Sequence, residues 1–332
     1  MQRTISSHIM TGLEAIICDA LQSGISICQR PFQQIGMKVG CTEDQVITTA
    51  KDLQDRGIIR RFGPILNGHA LGRFSTLVMA HVPDGVLDRA VNLINGLPHV
   101  SHNYIRDHHY NLWFTLQANT CQQAKRMIGQ LSAHLGIVLH SLPAIKAIKL
   151  QAYFPLSGQA GHLAAPFQTH TNHKPTDLQR QLLQRMLPQV PIHPRPFAIL
   201  ARGIGGEQEV ISAVAELLET GVIRRIAAIL NHYAIGLTAN VLLVAQVDVG
   251  LLDQAIEPLV SSGSVSHLVL RKDLDVWPYN LYAMIHANRM EQVQSLAQAI
   301  SGHVRKYLLL KTLRELKKAP APYELPEAIS LT

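Results

Sequence analysis

Gly57-Ile58-Ile59-Arg60-Arg61, followed by Ile65-Leu66-Asn67, recurs as Gly221-Val222-Ile223-Arg224-Arg225, followed by Ile229-Leu230-Asn231. Working outward, Ala70-Leu71-Gly72 returns as Ala234-Ile235-Gly236, and Arg30-Pro31-Phe32 as Arg195-Pro196-Phe197. Ser101-His102 with Arg106 returns as Ser266-His267 with Arg271. The offset is 164 residues from Gly57 to Gly221 and 165 from Ser101 to Ser266, so one unit has been duplicated and fused. Two related halves can build a pseudo-symmetric interface within one chain.

The 332 residues suffice for several domains with cores of their own, and 47% hydrophobic content suits a globular chain. No apolar run approaches the roughly 20 residues that span a bilayer, and the first seven residues lack the apolar centre of a signal peptide. Cys18, Cys28, Cys41 and Cys121 form no CxxC pair, and the expected compartment is the reducing cytoplasm. A formal charge of +7 with 17 histidines points to a polyanionic partner: nucleic acid, anionic lipid or a small polycarboxylate.

Each half reads as three short helices and a wing, then a βαββαβ unit. In the first half, helices are expected at Leu13–Leu21, from Pro31, and from the Thr42 N-cap to the Gly57 stop. Ile58–Phe62 and the stretch up to Leu66 read as the two strands of a wing hairpin. The expected fold is α+β: a tandem repeat of a winged helix-turn-helix plus a ferredoxin-like domain. The boundaries are 1–72 and 73–155 for the first copy, 156–175 for a linker, and 176–236 and 237–318 for the second; the tail beyond Lys318 reads as loose.

Duplex binding draws largely on Lys and Arg at phosphates. Both third helices are net acidic: Gly206–Thr220 carries Glu207, Glu209, Glu216 and Glu219 with no Lys or Arg, and Thr42–Arg56 carries Glu43, Asp44, Asp52 and Asp55 against Lys51 and Arg56. The positive charge therefore serves something other than DNA. A side-chain period of two places His102, Tyr104, Arg106 and His108 on one strand face, and His267 and Arg271 on its counterpart. Such a face offers a proton donor or metal ligand beside a fixed cation; a solvated sheet face is the plainer reading. In the next strand Tyr110-Asn111-Leu112 matches Tyr279-Asn280-Leu281, but the second copy adds Trp277-Pro278 and has His286 where the first has Gln117. His108-His109 faces Lys272-Asp273 in the alignment, so the two sites have drifted apart. Trp277 suits either core packing or ligand stacking. HExxH, Walker A, strand-borne GxGxxG and GxSxG motifs are all missing, and the cysteines lack zinc spacing.

The Gly-Ile-Ile-Arg-Arg wing and the α/β module resemble the Lrp/AsnC family, in which a winged helix binds DNA and the module binds a small molecule and dimerises. More narrowly, several stretches resemble the siroheme decarboxylases, an enzymatic branch of that fold: Arg60-Arg61-Phe62-Gly63, Val100-Ser101-His102 with Tyr104 and Arg106, Asn111-Leu112-Trp113-Phe114-Thr115, Trp277-Pro278-Tyr279-Asn280, Met284-Ile285-His286 and Arg314-Glu315-Leu316-Lys317-Lys318. The resemblance is to the fused two-subunit, NirDL-like form. It implies loss of carbon dioxide from the acetates on rings C and D of siroheme, giving 12,18-didecarboxysiroheme for the heme of nitrite reductase. It implies no cofactor beyond the iron tetrapyrrole substrate and no metal held by protein alone. Partners implied are siroheme and its product, related decarboxylase subunits and a second copy of the chain as a dimer, without DNA or membrane. The catalytic residues expected from it are His102, His108, His267 and His286, the last as proton donor or axial contact to the substrate iron. Substrate contacts are expected from Arg106, Arg271, Tyr104, His109, Trp277, Tyr279 and Asn280. The competing readings are a tetrapyrrole-responsive regulator and a non-catalytic carrier.

Overall fold

The computed structural model describes residues 10, 12–158, 174–320 and 322–331. In chain order the first copy carries α1 (Gly12–Ser23), α2 (Pro31–Val39), α3 (Glu43–Asp55), β1 (Ile59–Leu66), β2 (Phe74–Ala80), α4 (Asp84–Gly96), β3 (Val100–Arg106), β4 (Leu112–Ala118), α5 (Cys121–Leu135) and β5 (Leu139–Leu150). The second carries α6 (Asp177–Met186), α7 (Pro196–Ala201), α8 (Glu207–Glu219), β6 (Ile223–Leu230), β7 (Ala239–Gln246), α9 (Leu252–Ser261), β8 (Val265–Arg271), β9 (Leu281–Ala287), α10 (Met290–Ile300) and β10 (Lys306–Lys318). Most of the expected linker lies outside the described residues. The chain divides into two compact units, Met1–Gly72 with Tyr153–Gly236, and Arg73–Ala152 with Leu237–Thr332. Each unit is thus assembled from corresponding parts of both copies.

The first unit holds both helix triplets. Pro31 opens α2, and Gly40 ends it in the left-handed conformation at φ 76°. The turn into α3 is tight: a β-carbon on Gly36 would lie 2.7 Å from the Cys41 carbonyl oxygen. Thr42 then caps α3 reciprocally, its hydroxyl accepting from Gln45 N while its own N–H donates to Gln45 Oε1 at 2.9 Å. The expected wing hairpins do not form. β1 is one continuous strand, and it pairs antiparallel with β6 of the other copy from Ile59↔Leu230 to Leu66↔Ile223. The Arg-Arg pairs are built into this ribbon: Arg61 donates to the Leu187 and Pro64 carbonyls, and Arg224 to Asn67 Oδ1. Burial pushes the Arg61 and Arg224 guanidinium pKa values down to about 10.

In the second unit the two βαββαβ repeats do not make separate sheets. Their eight strands close into one antiparallel barrel in the order β10-β3-β4-β2-β5-β8-β9-β7. The long last strand of each repeat spans the seam. β5 pairs with β2 over Leu139–Pro143 and with β8 over Ala144–Leu150. Pro143, which cannot donate a ladder hydrogen bond, sits at the handover. β10 likewise pairs with β7 up to Lys311 and with β3 from Thr312. Each crossing strand also sends a lysine to the other repeat's helix: Lys149 Nζ donates to the Val260 and Ser262 carbonyls at the end of α9, and Lys317 Nζ to Asn95 and Leu97 at the end of α4.

Helices α4 and α5 cover one stretch of the barrel's outer face, over Val78, Val100, Phe114 and Leu116; α9 and α10 cover another, over Leu243, Leu268 and Ile285. A third core, including Met79, Trp113, Leu142, Val244, Tyr282 and Leu310, fills the interior. The tail expected to be loose is instead packed. Ile329 and Leu331 lie against the first repeat's core, and the Pro326 carbonyl receives Gln123 Nε2 at 3.1 Å and lies 2.8 Å from His99 Nε2. Among the described residues no helix is long and apolar enough to cross a membrane.

Candidate active site

Strand direction alternates around the closed barrel, so β3 and β8 run the same way, four strands apart. The β3–β4 and β8–β9 turns therefore share one end, and the Ser-His pairs at the starts of β3 and β8 share the other. Each pair sits at a bulge, between Val100 and His102 in β3 and between Val265 and His267 in β8. A bulge re-aims side chains, and here it brings serine and histidine together. Ser101 Oγ lies 2.9 Å from His102 Nδ1, and Ser266 Oγ 2.9 Å from His267 Nδ1. His102 is half-buried and His267 exposed. Tyr104 lies beside His102, with ring centroids 6.3 Å apart.

The second copy adds two groups. His286 on β9 faces Asn240 on β7. Its Nδ1 is hydrogen-bonded to Asn240 Oδ1, and its Nε2 lies 3.0 Å from Ser266 Oγ. His286 is 7% exposed. Both ring nitrogens are thus engaged by protein, so the direct contact to iron or substrate expected of His286 would require one of these hydrogen bonds to break. At the corresponding paired positions the first copy has Gln117 and Ser75.

Arg106 and Arg271 lie inside the barrel, related by the repeat. Arg106 donates to the Leu310 carbonyl at 3.2 Å and to Thr312 Oγ1 at 3.1 Å, where β10 crosses from β7 to β3. Arg271 donates to the Leu142 carbonyl at 2.9 Å, where β5 makes the equivalent crossing. Its guanidinium also lies 5.5 Å from the Tyr282 ring centroid, and burial pulls its pKa down to about 10. These hydrogen bonds hold the crossing strands and engage part of each guanidinium.

The remaining expected residues lie at the opposite end. β3 stops at Arg106, so the alternation does not extend to His108, which sits in the turn with its ring 5.3 Å from that of Trp277. Burial, then the neighbouring His109, lowers the His108 pKa. Exposed His109 stacks on His81, centroids 4.1 Å apart. Trp277 is 3% exposed, edge-on to Trp113 at 5.5 Å, and donates from Nε1 to Tyr282 Oη at 2.9 Å. Tyr279 lies 4.7 Å from Trp277, and burial raises its pKa. Together these rings plug the barrel. Asn280 bridges two backbones, accepting from Val247 N at 2.9 Å and donating to Val247 O at 2.8 Å; Asn111 does the same with Val82. The shared Tyr-Asn-Leu motif is thus a strand clamp. His102, and His267 with His286, lie toward one end on strands four apart around the ring; Tyr104 lies mid-strand opposite Trp113; and His108, His109, Trp277, Tyr279 and Asn280 lie at the other end.

Sequence reasoning passed over Ser101, Ser266 and Asn240 as functional groups. The serines carried a signal, since both copies place one before the histidine. Asn240 carried none, because only strand register sets it opposite His286. Among the described residues no cluster of three or more His, Cys, Asp or Glu is placed to hold a metal ion.

The chain matches the family description AsnC-like ligand binding domain at residues 70–149 and 234–317, and siroheme decarboxylase NirDL-like HTH domain at 14–60 and 179–224. It is 28% identical over 314 residues to a siroheme decarboxylase of Hydrogenobacter thermophilus, covering 92% of this chain and 93% of that one. It is 32% identical to the siroheme decarboxylase alpha subunit of Desulfovibrio desulfuricans over 151 residues, 46% of this chain and 87% of the subunit. Its fold superposes with a TM-score of 0.70 on the crystal structure of the siroheme decarboxylase NirDL in co-complex with an iron-uroporphyrin III analogue, at 27% identity and 94% coverage of both chains. Repeat, barrel and relatives agree: the chain belongs to the siroheme decarboxylase family, in its NirDL-like form.

Proposed function

We propose that this chain decarboxylates siroheme, removing the carboxyl groups of the two acetates on rings C and D to give 12,18-didecarboxysiroheme. The observation that carries the reading is the pair of serine-braced histidines at one end of the barrel, in a chain of this family. Siroheme bears eight carboxylates, which suits a chain of net charge +7. The first unit supports no DNA-binding alternative: α3 and α8 open with Glu43, Asp44, Glu207 and Glu209, and the two wing strands pair with each other.

Decarboxylation breaks the bond from the acetate methylene to the carboxyl carbon and leaves the electron pair on the methylene, where the macrocycle delocalises it. That carbon must then take up a proton. Histidine supplies one near neutral pH, and such acid catalysis is worth about 10²–10⁴-fold. We assign this proton to His267 and His102, a reading supported by the serine that braces each ring; Tyr104 hydrogen-bonds a substrate carboxylate. Arg106 and Arg271 contribute fixed positive charge through the barrel wall. No cofactor beyond the tetrapyrrole is invoked, and the reaction belongs to the cytoplasm, in a chain that pairs with a second copy or with related subunits. The test is anaerobic incubation with siroheme and mass analysis of the extracted pigment. Loss of two carboxyl groups supports the reading; siroheme recovered unchanged refutes it.

A further inference from the structure

We propose that His286 is a positioning residue: acting through Ser266, it holds His267 with a proton on Nδ1, so that Nε2 is the nitrogen that delivers the proton to the substrate. The inference deepens the decarboxylase reading and rests on it. The argument starts at Asn240. Its Nδ2 donates to the Leu237 and Thr238 carbonyls, at 2.9 and 3.4 Å. Only the amide nitrogen can donate, so Oδ1 is the atom that faces His286 Nδ1. That oxygen only accepts; His286 therefore carries its proton on Nδ1, and in the neutral ring Nε2 is an acceptor. The Ser266 hydroxyl, 3.0 Å away, donates to it in preference to the Met284 carbonyl, which lies farther off at 3.4 Å. Having directed its one proton there, Ser266 Oγ accepts from His267 Nδ1 at 2.9 Å. Each bond fixes the direction of the next, from a backbone-anchored amide to an exposed imidazole.

The chemistry follows. The carbon–carbon bond to the carboxylate breaks, carbon dioxide departs, and the pair stays on the methylene carbon. The His267 imidazolium gives its Nε2 proton to that carbon, completing a methyl group, and is left as the neutral Nδ1–H tautomer that Ser266 stabilises. Nε2 recovers a proton from water at the exposed ring. The first copy has the Ser101–His102 contact but Gln117 and Ser75 in place of His286 and Asn240. A glutamine amide can present either donor or acceptor, so that position does not impose a direction.

The test uses the full chain, labelled with ¹⁵N-histidine, and the variants His286→Gln and Ser266→Ala. The first installs the residue that the other copy carries at that position. At about pH 8, where histidines are largely neutral, the His267 signals, assigned by their loss in His267→Gln, should show Nδ1 protonated. Both variants should shift them toward the Nε2–H tautomer. Turnover of siroheme should fall about tenfold or more in kcat while KM stays within about twofold. Unchanged tautomer signals in both variants, or kcat retained in both, would overturn the proposal. If the wild-type chain releases no carbon dioxide, the decarboxylase reading fails by itself, and the ¹⁵N spectra still decide whether the hydrogen-bond chain exists.

Discussion

Replacing Trp277 by alanine separates a plug from a stacking platform. The indole is 3% exposed and lies 4.7–5.6 Å, centroid to centroid, from Tyr279, His108, Trp113 and Tyr110. Removing a buried tryptophan side chain costs about 3–5 kcal/mol in lost transfer energy and residual cavity. The lower half of that range suits Trp277, because neighbouring rings at the turn end can partly collapse into the space. Trp277→Phe retains most of the packing and removes only the Nε1–H donor to Tyr282. Tyr282 still donates to the Tyr279 carbonyl at 3.0 Å, so this change should cost about 1–2 kcal/mol. The assay is urea unfolding followed by intrinsic fluorescence. The chain's two tryptophans, Trp113 and Trp277, both lie in the plug, so the signal reports this region. In Trp277→Phe, Trp113 alone remains as reporter. Both variants should retain siroheme affinity at temperatures where they stay folded. A Trp277→Ala chain less than about 1 kcal/mol destabilised, but unable to bind siroheme, would refute the plug and restore a substrate contact.

Two further outcomes follow from the same unit. Asn280→Ala leaves the Val247 N–H and carbonyl without their side-chain partner; it should cost about 1–3 kcal/mol and speed amide exchange at Val247, and unchanged exchange there contradicts the clamp. Burial lowers the pKa values of His108 and His140 below the ordinary histidine value, so the unfolded chain binds protons first as pH falls. Their contribution to stability is therefore full above about pH 6.5 and is lost as pH drops through that value toward the depressed folded pKa. The melting temperature should fall between pH 7.5 and 5.5, and less steeply in His140→Phe; equal slopes in the variant and wild type count against the assignment.

The duplication and the βαββαβ order were legible because both are written locally, in repeated motifs and in alternating patterns. The cross-copy pairings were not. β1 with β6, β5 with β8 and β10 with β3 join residues more than a hundred positions apart, and an isolated strand pattern does not name its partner. The single-strand wing follows from the same blindness: Ile58–Leu66 reads as a hairpin until Ile223–Leu230 is seen beside it. At the site, repetition marks architecture as well as chemistry. Asn280 and Arg271 recur with a strand clamp and a seam hydrogen bond in each copy, and identity in both halves does not separate that duty from contact with substrate. His286 departs from its counterpart, and that departure was visible; its direction of action was not, because Asn240 and Ser266 reach it only across the sheet.

The seam strands also set an order on the making of the molecule. β3 finds its outer neighbour in β10, about two hundred residues later in the chain. While the ribosome is still producing the second repeat, β3 presents a bare row of backbone donors and acceptors, the kind of edge on which chains aggregate. The ring closes only when Lys306–Lys318 has emerged. A nascent chain stalled before that point carries an open sheet with a ready-made docking edge, so a premature stop in the second repeat creates a hazard as well as a loss of function.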